Sequence, residues 1–334
     1  MPNPLPDNAT ARLLADLVAQ GLLPPAQAQA IAEAERTQPF SVHYELRALL
    51  YLGVMLLAGG LGVLIYEHID TIGHQVIIGL IALVMAACFA YAERHRSPFT
   101  WGEAPPASVA ATYLLVLSCL LFVSLETYLQ VRYGVFGQRY GLATLLPALV
   151  FFPLAYRHDH RAVLALAITA LAAWVGVSVA PLAMFEQGSG FWTDILSRPA
   201  LLLGLGLVAA GLLSEKLHRK RHFAYTYLLL GSNVALAAAM TLLVNTDNAG
   251  AVFWWLLVMG LAAGLVWYAR RSQSYLFLLL GVVYAYAAVT YAVFRLLLAG
   301  DSDLVLSVGL WYLPASAVAV VFFFINIKRI LRLV

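Results

Sequence analysis

Residues 49–92 read "LLYLGVMLLAGGLGVLIYEHIDTIGHQVIIGLIALVMAACFAYA". Two apolar runs flank a polar stretch, "IYEHIDTIGH" at 65–74, in which Glu67, His68, Asp70 and His74 place four titratable groups within eight positions. Each run approaches the ~20 mostly apolar residues that one helical crossing of a bilayer needs. The stretch therefore reads as two membrane helices and the wet turn between them.

Composition supports the same solvent for most of the chain. Of 334 residues, 62% are hydrophobic and 11% are charged, against about 45–50% and about 25% in soluble domains. So few charges cannot cover a water-facing surface. Cys88 and Cys119 lie inside apolar runs and read as small buried residues, not as a disulfide or a metal knuckle. The first apolar run starts only near Leu46, so no secretory signal peptide is expected. The net charge of +3 is small, and its distribution carries the information.

Ten apolar segments can be marked, at about 46–66, 75–92, 107–128, 141–156, 162–185, 199–214, 223–244, 250–269, 275–299 and 304–327. They are too long and continuous for barrel strands, which alternate in hydrophobicity. Helices satisfy their own backbone groups in lipid, so the expectation is an all-α polytopic bundle of about ten spans. The 141–156 segment is short and contains Pro147 and Pro153, so it could be kinked or tilted. With the N-terminus placed inside, sixteen basic residues fall on the inner side: Arg12, Arg36, Arg47, Arg94, Arg96, Arg157, Arg161, Lys216, Arg219, Lys220, Arg221, Arg270, Arg271, Lys328, Arg329 and Arg332. Four fall outside: Arg132, Arg139, Arg198 and Arg295. That bias predicts both termini in the cytoplasm and a net acidic outer face.

Residues 1–45 form the one sizeable polar segment. "DNATARLLADLVAQGLL" places Leu13, Leu14, Leu17 and Val18 on one helical face and stops at Gly21; "PPAQAQAIAEAER" restarts on proline. The expectation is a cytoplasmic amphipathic helical hairpin over 1–45, followed by the transmembrane bundle over 46–334. The hairpin's second helix carries almost no basic residues, so no nucleic-acid partner is expected.

Two groups of residues are candidates for chemistry. If 67–74 were helical, Glu67, Asp70 and His74 would share a face and could hold a divalent metal. Alternatively, Asp70 caps the second span and Gly73 interrupts the helix. In the ninth span Tyr284, Tyr291 and Arg295 fall at i, i+7 and i+11, one helical stripe. Glu126, at comparable depth in the third span, is the natural partner of Arg295. Ser232 and Asn233 add polar groups near the middle of the seventh span. Together these residues could line an outward-facing cavity that binds substrate, or hold the bundle together. Close helix contacts are expected at Gly260 and Gly264 and at Ala58 and Gly62, with GxxxG-like spacing. In "RHDHR" at 157–161, Asp159 or His160 is expected to cap the fifth span. No histidine and no Asp, Glu or Lys lies in the middle of a span, and no Walker loop is present. That argues against a bis-histidine haem, an ordinary ion relay and ATP hydrolysis, and no cofactor is expected.

"YLQVRYGVFGQRYGLATLLPALVFFPLAYRHDHRAVLALAITALAAW" at 128–174, with "QGLLPPAQAQAIAEA" and "YEHIDTIGH", resembles a family of bacterial membrane proteins, domain of unknown function 2157. The likeness covers about the first half of the chain. It implies a short cytoplasmic helical segment, many spans and the bacterial inner membrane. It supplies no catalytic residues and makes neither His68 nor His158 a family ligand. The function expected is carrier-like, binding a small or lipid-like solute from the outer side. The alternative is a non-catalytic scaffold or assembly factor that docks partners through its hairpin, with a homo-oligomer or a protein partner. A metal-dependent membrane enzyme using Glu67, Asp70 and His74 is a third reading.

Overall fold

A computed structural model describes residues 17–21, 23–29, 43–67, 73–104, 108–137, 139–179, 194–246, 249–298 and separate residues between 311 and 323. The chain divides into two compact units, residues 1–57 and 58–334. In the first, a helical turn at 17–19 stops at Gly21, whose φ of +68° suits a residue without a Cβ. Helix resumes at 25–29, where the Pro24 carbonyl accepts from the N–H groups of Gln27 and Ala28. Leu13, Leu14 and most of the expected hairpin lie outside the described residues.

Nine long helices follow among the described residues: α1 His43–Glu67, α2 His74–Arg94, α3 Val109–Tyr133, α4 Tyr140–His158, α5 Arg161–Val179, α6 Asp194–Lys216, α7 Ala224–Asn245, α8 Ala249–Ser272 and α9 Tyr275–Leu298. Among the described residues there is no strand, and eight helices, α2 to α9, are long and apolar enough to cross a membrane. The expected first span coincides with α1, whose described apolar stretch is Ala48–Leu57. The expected tenth, 304–327, lies mostly outside the described residues, with helical pieces at 311–312, 314–316, 318–319 and 322–323. The proline-bearing 141–156 segment is a 19-residue helix, α4, with Pro147 and Pro153 inside it. Prolines are tolerated there because neighbouring helices and local adjustments satisfy the freed backbone groups.

Short connections make sequence neighbours antiparallel neighbours. The principal packed pairs are α2 with α3, α4 with α5, α6 with α7, and α8 with α9. The ends are set by local chemistry. Ser108 Oγ accepts from the Ala111 N–H (3.2 Å) and starts α3, and Gly134 ends it at φ +59°. His160 Nδ1 accepts from the Val163 N–H (3.3 Å) and starts α5, as one of the two expected caps. α2 begins at His74, with Gly73 at φ +81° before it, and Asp70, expected to cap it, lies outside the described residues.

Two helices form the centre. Half of the span of α3 and 61% of the span of α7 are buried, against 22–33% for the other six spans. The α6–α7 contact is the tightest. A Cβ on Gly204 would stand 2.5 Å from the Ala235 nitrogen, and one on Gly231 would stand 2.7 Å from Leu207 Cβ. Among the described residues no close contact is made at Gly260 and Gly264, since a Cβ on either would meet nothing within 4 Å. Those two glycines instead line a groove. The side chains of Ala58 and Gly62 lie outside the described residues.

Candidate functional site

The tyrosine–arginine stripe of α9 faces α7. Tyr284 Oη donates to Asn233 Oδ1 at 3.1 Å. Further along, Tyr291 Oη donates to the Val244 carbonyl at 3.2 Å. Arg295 Nη1 donates to the Thr246 carbonyl at 2.9 Å and to Tyr291 Oη at 3.2 Å. The last carbonyls of a helix have no intrahelical partner and carry the negative end of its dipole. Arg295 therefore serves as a cation at the C-terminus of α7. Asn233 sits near the middle of α7 and is exposed, although α7 is the most buried span. Its neighbour Ser232 is buried and turns back to donate to the Leu229 carbonyl at 3.2 Å.

The structure thus brings Asn233, Tyr284, Tyr291 and Arg295 onto one seam. Glu126 is not on it. It lies on α3, which packs against α2, α4 and α5, and it is only 6% exposed. Its Oε1 has no hydrogen-bond partner among the described residues. The expected Glu126–Arg295 ion pair is absent, because equal depth in the membrane does not make two helices neighbours. His74 stands at 2.7 Å, through Nδ1, from Tyr128 Oη on α3. The side chain of Glu67 and the whole of Asp70 lie outside the described residues. Gly73 breaks the helix that would have aligned the three. Among the described residues no group of three or more His, Cys, Asp or Glu could hold a metal ion.

Contacts that sequence reasoning missed lie at the basic-loop end. Asp159 adopts the left-handed region (φ +55°) after α4 and its carboxylate turns into the protein. Lys220 Nζ lies 2.8 Å from Asp159 Oδ1, and His222 Nε2 lies 2.5 Å from the same oxygen. The Ala104 N–H donates to Asp159 Oδ2 at 2.6 Å. The Lys220 side chain is 1% exposed, and its ammonium stands 5.2 Å from the Phe99 ring centre. The Lys220 backbone N–H donates to the Trp101 carbonyl at 2.7 Å. Three loops, 95–104, 159–160 and 217–223, are thereby locked together. Beside them His160 is buried, and burial, with His158 nearby, pushes its pKa down to about 4. Outside this lock, Glu93 holds Arg96 and Arg157 as ion pairs, and His158 Nε2 stands 3.1 Å from Glu93 Oε2. Nothing in the local sequence separates Lys220 from its exposed basic neighbours; its partner is 61 positions away.

Long apolar helices, paired antiparallel and joined by polar turns, define a multi-pass helical membrane protein. Residues 15–164, from the N-terminal segment into α5, match the model of a family described as predicted membrane protein (DUF2157), whose function is unknown. No curated protein and no solved structure matches the chain.

Proposed function

We propose that this protein is carrier-like and binds a small or lipid-like solute from the end of the bundle opposite the basic loops. In this reading Asn233, Tyr284, Tyr291 and Arg295 form the wall of the site, and Glu126, on α3 and off this seam, is a separate buried polar group. The observation that carries the reading is Asn233, an exposed amide near mid-span on the most buried helix. An amide is costly to leave in hydrocarbon, so its persistence there fits a crevice reached by water or a polar ligand. The basic-loop end faces the cytoplasm of a bacterial inner membrane, on the sixteen-to-four bias of basic residues.

Single cysteines at Asn233 and at Lys216 test both statements. A membrane-impermeant maleimide added to intact cells should label N233C and spare K216C. Labelling of K216C would reverse the orientation. Failure to label N233C in a well-folded protein would remove the crevice. The second reading, a scaffold, is favoured by one observation: Arg295 and Tyr291 already spend hydrogen bonds on backbone carbonyls of α7. Under it, Arg295→Ala lowers stability and changes nothing else.

A further inference from the structure

We propose that the basic-loop end of α6, α7 and α8 binds one anionic phospholipid, headgroup and acyl chain together. This is independent of the solute site proposed above, which lies on the α7–α9 seam.

Two cavities meet there. The first is an apolar groove of about 280 Å³ between α6, α7 and α8, with Gly260 and Gly264 forming its α8 side. The second is a polar cleft of about 420 Å³ lined by Lys216, His218, Arg221 and Arg271, with Glu215 as its carboxylate. Leu212, Trp267 and Tyr268 line both, so the groove runs into the cleft.

The dimensions fit one leaflet. Gly260 lies at the midpoint of α8 and Arg271 at its end. The eleven helical steps from Gly260 to Arg271 cover about 16 Å, about half of a hydrocarbon core of about 30 Å. Among the described residues neither glycine has a neighbour within 4 Å of where a Cβ would stand, which keeps that side of the groove open. At the upper end Trp267, 63% exposed, and Tyr268 mark the interface, as aromatic side chains do.

Charge selects the headgroup. Lys216, Arg221 and Arg271 give three positive charges against the one negative charge of Glu215, a net of +2 in the cleft. Glu215 is engaged internally: Tyr268 Oη donates to it at 3.2 Å and Arg221 Nη2 stands 4.0 Å away. The Arg271 guanidinium lies 6.0 Å from the Trp267 ring centre, at the boundary of the two cavities. A basic cleft between membrane helices at the interface is the arrangement that holds anionic headgroups, and an apolar groove directly beneath accepts the chain attached to one.

Trp267 supplies the reporter. The full chain in nanodiscs would be compared with equal fractions of brominated phosphatidylglycerol or brominated phosphatidylcholine. The quenching attributable to Trp267 is the difference between wild type and Trp267→Phe. It should be at least about threefold greater with the anionic lipid. The preference should vanish in the combined Lys216→Gln, Arg221→Gln, Arg271→Gln variant and fall as salt rises. Gly264→Leu, whose Cβ has nothing within 4 Å and whose side chain would enter the groove, should reduce the quenching by both lipids. Equal quenching of wild type by the two lipids overturns the proposal, as does a preference that survives the triple charge variant. If that variant does not fold, a wild-type preference indifferent to salt overturns it equally.

Discussion

Replacing Lys220 by Met removes one charge and keeps the length of the side chain. The stem still fills the space beside Phe99 and Phe223, whose ring centres stand 5.2 Å and 6.0 Å from the ammonium. What changes is Asp159. Its side chain is 9% exposed; its Oδ1 loses the cation at 2.8 Å and keeps His222, while Oδ2 keeps the Ala104 N–H. Leaving a buried charge without its partner costs about 3–5 kcal/mol. At about 2–3 °C per kcal/mol for a chain of this size, the unfolding midpoint should drop by about 6–15 °C. The assay is a thermal melt of detergent-purified protein at a fixed scan rate. The double variant Asp159→Asn/Lys220→Met removes both charges and should recover about half of the loss or more, since neutralised pairs are far cheaper to bury. A single variant melting with wild type, or a double variant no better than the single, would refute the view that a buried charge pair locks the three loops.

Gly231→Ala places a Cβ 2.7 Å from Leu207 Cβ and 2.9 Å from the Val208 nitrogen, so it should destabilise by about 1–3 kcal/mol. Gly206→Ala, with nothing within 4 Å, should be neutral or stabilise by up to about 1 kcal/mol, and paired melts decide between them. His160 must stay neutral to cap α5 through Nδ1, and its pKa is lowered to about 4 by burial. Its contribution is intact above the ordinary histidine value of about 6.5 and is lost as pH falls from there toward about 4, reaching about 2 kcal/mol near pH 5. His160→Asn keeps a capping acceptor without titrating, so its melts should show a shallower acid dependence than those of wild type. Gln130 clamps the 134–137 turn, accepting from the Phe136 N–H at 2.8 Å and donating to the Gly137 carbonyl at 2.9 Å. Gln130→Leu should cost about 1–3 kcal/mol and speed hydrogen exchange in that turn, and unchanged exchange would count against the clamp.

Much of this architecture is written in one dimension. Apolar runs long enough for a bilayer mark α2 to α9, and even the proline-bearing 141–156 stretch became a helix. Hydropathy and length are properties of consecutive residues, so no tertiary knowledge is needed to read them. The Tyr284–Tyr291–Arg295 stripe was equally readable, because helical periodicity alone puts the three on one face. What that face meets was not. Arg295 was expected to reach Glu126, which lies on α3; among the described residues it donates to the Thr246 carbonyl that ends α7 and to Tyr291 Oη.

The same division runs through the glycines and the loops. A GxxxG spacing pointed to Gly260 and Gly264, yet backbone contact occurs at Gly204 and Gly231, and the spaced pair opens a groove. Spacing says that a helix has a narrow face; which helix approaches it depends on how all the others pack. Basic residues are sorted along the chain by loop, but the sequence does not say that Lys220 is buried while Arg219 and Arg221 beside it stay exposed. That difference comes from Asp159, 61 positions earlier, carried to the same place by the pairing of α4 with α5 and of α6 with α7. The solvent of each segment follows from its own composition, whereas the partner of each polar group follows from which helices are neighbours, and neighbours are chosen by the packing of the whole bundle.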